Sequence, residues 1–169
     1  DQLQEFTNME FYWAYADYKD GMKLVRDLYI HIAKEVFGTT KFTTRGHTFD
    51  LGDEWKEISY EDEIKKQTGI DVEKATESEI KKKLESLKVK YEGENRERLM
   101  DTLWKYCRKN ISGPAFLVHH PLLVAPLAKS VLGQNIAQKF QPILAGSEVG
   151  NGYSELNDPI DKKNRFDVQ

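Results

Sequence analysis

Apolar positions along the chain change period several times, and each change marks an element. From Phe6 to Tyr12 the residues alternate, with Phe6, Asn8, Glu10 and Tyr12 on one face and Thr7, Met9 and Phe11 on the other, which predicts a strand. After Asp20-Gly21 the period lengthens. Leu24, Val25, Leu28, Ile32 and Val36 recur at helical spacing, predicting an amphipathic helix from Met22 to Phe37 that ends at Gly38, where glycine suits a left-handed cap. Phe42 to Leu51 reads as a hairpin turning at Arg45-Gly46. A second helix is expected from Ser59 as N-cap, with Asp62 at the capping-box position, to about Thr68-Gly69. Thr76 and Glu79 open a third, running through Ile80, Leu84 and Leu87. A fourth, over about 94–109, places Leu99, Leu103, Tyr106 and Cys107 on one side.

Beyond Gly113-Pro114 the chain turns apolar, and Ala115-Phe116-Leu117-Val118 reads as a buried strand. The adjacent His119 and His120 point to opposite faces of such a strand, which argues against a chelating pair. Pro126 prevents a continuous helix from Leu122 to Lys129. Over Ser147 to Glu155, simple alternation puts Ser147, Val149, Asn151, Tyr153 and Glu155 on one side, with Glu148 on the other unless a bulge intervenes. Gly146, Gly150 and Gly152 in this stretch suggest close approach of a ligand or of another backbone, the plainer alternative being a glycine-relieved hairpin. Pro159 begins a terminal helix. Strands at both ends and in the 40s with helices between give an α+β class, and the charged region 69–111 is expected as a helical insertion.

At 169 residues the chain is long enough for one domain with a core. Its formal charge of -3, from 25 basic and 28 acidic residues, does not indicate a large nucleic-acid-binding face. The Lys81-Lys82-Lys83 run lies on a helix with acids nearby and reads as a solvated face. Cys107 is the only cysteine, which excludes an internal disulfide and a cysteine cluster for zinc, and makes a reduced, cytoplasmic setting the expectation. No apolar run approaches the ~20 residues that span a bilayer, so no membrane partner is expected. No Ser/His/Asp grouping offers a side-chain nucleophile.

The candidate chemistry lies at the two ends. Glu10, Tyr12, Asn151 and Glu155 are polar residues facing one side of two stretches that can be neighbours, a pocket richer in anionic acceptors than in donors. An amine suits such a pocket, because a desolvated ammonium needs a carboxylate partner.

Longer stretches carry a resemblance. Glu5-Phe6-Thr7 followed by Met9-Glu10-Phe11-Tyr12-Trp13-Ala14-Tyr15-Ala16-Asp17-Tyr18 resembles the second strand of motif 2 in class II aminoacyl-tRNA synthetases. His120-Pro121 and Pro126-Leu127-Ala128-Lys129 resemble the strand and loop before the late active-site strand of that class. Glu148-Val149-Gly150-Asn151-Gly152-Tyr153-Ser154-Glu155-Leu156-Asn157-Asp158-Pro159 is similar to the amino-acid-binding strand of its lysine-specific members, since the aspartate and asparagine relatives carry Arg where this chain has Glu155.

The resemblance implies the antiparallel sheet of the class II catalytic core and activation of lysine with ATP, followed by transfer to tRNA. By the same resemblance Glu10 would hold the α-ammonium, Tyr12 and Glu155 the ε-ammonium and Asn151 the carboxylate of lysine. Tyr153 would wall the aliphatic stem, Phe6 would stack on adenine and Glu148 would coordinate Mg²⁺. Two positions depart from the pattern: Gln141 stands where many relatives have a second metal-binding Glu, and Gln2 where many have His. The dimer helix of motif 1, motif 3 and an anticodon domain are not seen, so the chain is expected to be a piece of a longer enzyme, a homodimer when whole, and inactive alone. A non-catalytic lysine-binding module, or a paralogue that attaches a lysine-like amino acid to a protein, remain alternatives.

Overall fold

The computed structural model describes residues 5–93 and 95–168, with the side chain of Val168 left aside. Gln2 and Glu94 lie outside the described residues. Helix α1, Tyr18–Ile32, begins with a capping box between Asp17 and Asp20 and continues as one π-helical turn, Ala33–Phe37, before stopping at Gly38 with φ 67°. Strands β1, Lys41–Thr44, and β2, His47–Asp50, form the expected hairpin. Next come β3, Lys56–Ser59, and α2, Tyr60–Thr68. Ser59 stands at the N-cap position without a side-chain cap bond, contrary to the expected capping box; it is also the last paired residue of β3, opposite Val118. Thr76 and Glu79 do form a capping box, at the start of α3, Glu77–Ser86. Helix α4, Arg96–Arg108, is capped by Asn95.

The main sheet runs β3-β4-β5-β6, with β4 at Ala115–Val118, β5 at Lys139–Leu144 and β6 at Ser147–Glu148; β7, Gly152–Tyr153, also pairs with β5. Its pairings are antiparallel except β3 with β4, which is parallel, as the helical crossover between them requires. Helix α5, Pro159–Val168, follows.

Alternation along β4 divides the core. Ala115 and Leu117, with Ile143 of β5, face a cluster built from Ile64, Ile80, Leu84, Leu99, Leu103 and Trp104 on α2, α3 and α4. Phe116 and Val118, with Phe140 and Leu144, face α1 and the Leu51–Trp55 loop through Met22, Leu51 and Trp55. The 69–111 stretch is thus joined to the sheet by a shared apolar cluster, and within the stretch Arg96 braces α4 against the 72–75 segment by donating to the carbonyls of Val72 and Ala75.

The predicted strand from Phe6 to Tyr12 is not formed. Residues 5–13 are irregular, with Phe6 80% and Tyr12 81% exposed. A strand needs ladder partners for its backbone, and the described sheet ends at β6 and β7 without pairing this segment.

Candidate functional site

The region that brings the two ends of the chain together is built on a bulge. Ile143 pairs with Glu148 and Phe140 with Gly152, so three steps along β5 are matched by four along the facing segment. The cause lies in β5. Pro142 accepts a bond from Val149 N at 2.9 Å but has no N–H to return, so the ladder breaks opposite it. The extra residue reverses the alternation: Glu148, opposite Ile143, and Tyr153, opposite Lys139, now share one face of the sheet. The opposed placement expected from simple alternation is therefore corrected.

The glycines serve this geometry. A Cβ on Gly152 would lie 2.4 Å from the Phe140 ring, and one on Gly150 would lie 3.1 Å from Pro142. Gly146, at φ 70°, approaches the backbone of Lys109. All three make room for the protein's own atoms: Gly146 for another backbone, one of the two expected possibilities, and Gly150 and Gly152 for the side chains of Pro142 and Phe140.

Helix α1 holds the bulged segment from the side. Tyr29 Oη donates to Val149 O at 2.8 Å, and Tyr18 N, an otherwise unpaired donor of the first helical turn, donates to Ser154 Oγ at 3.1 Å. Beyond the bulge, Lys129 N bonds Ser154 O at 2.8 Å and Glu155 bridges to Ala128. The segment is thus fixed on both sides while Asn151 and Glu155 stay exposed.

Tyr153 is partly buried against the cluster of Ala125, Ala128 and Ala137. Its phenol is pushed above the ordinary tyrosine range, first by burial and then by the nearby Glu155, Tyr12 and Glu10. Three of the other predicted residues, Glu155, Tyr12 and Glu10, therefore each lie within electrostatic reach of Tyr153. Tyr12 Oη also donates to Glu10 Oε1 at 3.4 Å. Phe6 lies on the same irregular segment, and Asn151 on the bulge.

Glu148 belongs to a different environment. Its Oε1 accepts from Trp104 Nε1 at 2.8 Å and from Arg108 at 2.9 Å, and its Oε2 accepts from Gln141 Nε2 at 2.9 Å. Gln141 Oε1 lies 2.7 Å from Nε2 of His120, which is buried. Burial lowers the His120 pKa to about 4, which keeps the imidazole neutral; because the Gln141 carbonyl oxygen can only accept, Nε2–H is the donor. The donor set does not fit Mg²⁺, which takes oxygen ligands in octahedral array. Here the neighbours of the carboxylate are N–H donors, one of them cationic. Among the described residues, no group of three or more His, Cys, Asp or Glu is placed to hold a metal ion. The expectation that Glu148 is a metal ligand is at odds with this geometry.

Trp104, Arg108, Tyr29 and Ser154 escaped the sequence reading. The one available signal was the spacing of Trp104 and Arg108, four apart on α4 and hence on one helix face.

The sequence model of the family described as tRNA synthetases class II (D, K and N) matches residues 1–169. Among curated relatives, the lysine--tRNA ligase of Roseiflexus sp. (strain RS-1) is 41% identical over 166 residues, 96% of this chain and 34% of the relative. That of Thermotoga maritima is 36% identical over 163 residues, 96% of this chain and 32% of the relative. The Staphylococcus saprophyticus ligase is 33% identical over 169 residues, 98% of this chain and 34% of the relative. The chain thus spans about a third of the length of the curated relatives it matches. With a family match over its whole length, and with the α+β core whose sheet is antiparallel but for one edge pair, the chain belongs to the class II tRNA synthetases of the D, K and N group.

Proposed function

We propose that the protein of which this chain is part activates lysine with ATP and transfers the lysyl group to tRNA, and that this chain supplies the amino-acid-binding wall. What supports the reading is the grouping of Glu10, Tyr12 and Glu155 around Tyr153, an acceptor-rich surface in which Tyr12 also bonds Glu10. The similar proteins named as lysine--tRNA ligases point the same way. In this reading Glu10 holds the α-ammonium, Tyr12 and Glu155 the ε-ammonium, Asn151 the carboxylate, and Tyr153 lines the aliphatic stem. Phe6 stacks on the adenine.

With lysine so held, its carboxylate oxygen attacks the α-phosphorus of ATP. A mixed anhydride forms, pyrophosphate leaves, and a terminal ribose hydroxyl of tRNA then displaces AMP at the carbonyl. This chain's contribution is positioning and charge complementarity, without a side-chain nucleophile. When bound, Mg²⁺ would offset the charge of the ATP phosphates. The 69–111 region is an insertion in the catalytic domain, the whole enzyme is a homodimer, and it works in the cytoplasm. No helix among the described residues is long and apolar enough to cross a membrane.

Calorimetry with lysine, ornithine and arginine tests the assignment. Lysine should bind best, and Glu155→Gln should weaken it by at least tenfold, about 1.4 kcal/mol. Equal binding by parent and variant would remove Glu155 from the site. Lysine-dependent pyrophosphate exchange by the full-length protein tests the reaction.

A further inference from the structure

Glu148 is the convergence point of three elements. Trp104 and Arg108 reach it from α4, Gln141 reaches it from β5, and both of its oxygens are occupied. Glu148 and Arg108 are each 23% exposed at the side chain, so their attraction is only partly screened by water. A divalent ion at this carboxylate would have to displace the indole and amide donors and sit beside a guanidinium, with like charges a few ångströms apart. The second carboxylate that would offset that repulsion is absent, because position 141 is an amide whose NH₂ points at Glu148 and whose carbonyl is engaged by His120.

We propose that Glu148 binds no divalent cation in this protein, and that Arg108 is the resident positive charge of the site. The network then replaces a metal centre with a fixed ion pair. It pins β6 to α4 and so sets the point from which the 149–151 bulge starts. The inference takes from the family reading only the metal role implied for Glu148, and it is independent of which amino acid is bound.

The indole N–H of Trp104 is the reporter, since it donates directly to Glu148 Oε1. With tryptophan-labelled protein and no nucleotide, Mn²⁺ should leave the Trp104 indole resonance at its original intensity. In Arg108→Glu, charge reversal removes the resident cation and adds a carboxylate, so Mn²⁺ should broaden that resonance at least tenfold more than in the parent. If Arg108→Glu does not fold, Arg108→Gln, which removes the cation without adding a carboxylate, should still broaden that resonance more than the parent does, though by less than tenfold. Selective broadening of Trp104 in the parent, or its absence in both parent and folded variant, overturns the proposal. Failure of lysine to bind would leave this readout unchanged, so the two readings fail separately.

Discussion

The ring of Phe140 lies directly over Gly152, so close that a Cβ there would stand 2.4 Å from two ring carbons. The same ring meets Gly21 of α1, where a Cβ would be 3.1 Å away. One aromatic side chain thus sets the separation of α1, β5 and β7, and two glycines permit it. Gly152→Ala is expected to destabilise the protein by roughly 1–3 kcal/mol, the usual cost of overpacking. Denaturant titration measures it, and Phe140→Leu should recover part of the loss in the double variant. Additive losses would show that the contact is not the cause.

The side-on restraint of the bulge by α1 predicts a paired effect. Tyr29→Phe removes the bond to Val149 O, and Ser154→Ala removes the acceptor of Tyr18 N. Each should cost about 1 kcal/mol in urea unfolding. Each should also weaken lysine binding without a contact to lysine. Unchanged affinity with reduced stability would separate the tether from the site.

His120 gives the pH dependence a definite sign. Its folded pKa is lowered by burial from the ordinary 6.5 to about 4. Below pH 6.5 the unfolded chain takes up the proton and the folded one does not. The stability conferred by the neutral histidine is therefore full above 6.5, falls as pH drops, and is lost below about 4. The shift corresponds to roughly 3 kcal/mol. Unfolding free energies of parent and His120→Gln between pH 7 and 4 should converge by about that amount; parallel curves would contradict it.

Cys107 is fully buried, and burial, followed by the carboxylate of Glu63, pushes its thiol up to about 12. The thiolate is the reactive form. A thiol reagent at neutral pH should therefore modify Cys107 at the rate of opening of the fold, accelerating sharply through the unfolding transition. Rapid stoichiometric labelling of the native protein would refute the packing described for α4.

Local signals written within a few residues survived into the structure. Gly38 and Gly69 end helices in the left-handed conformation, Thr76 and Glu79 cap α3, and Arg45-Gly46 turns the first hairpin. The acceptor character of Glu10, Tyr12 and Glu155 was legible for the same reason, since charge and hydrogen-bonding capacity belong to the residue.

What depended on distant partners was not legible. Phe6 to Tyr12 alternates like a strand, yet alternation supplies no ladder, and the described sheet does not extend to it. Glycines that suggested a ligand or another backbone make room for Phe140, Pro142 and the backbone of Lys109, which are remote from them in sequence or lie across a turn. Glu148 is an ordinary carboxylate until α4 brings Trp104 and Arg108 against it, 44 and 40 residues back along the chain. Periodicity and residue chemistry, being local, were determined by the sequence itself. The direction of the site's faces was decided by the tertiary structure, because Pro142 interrupts the ladder and a single extra residue reverses every side chain that follows.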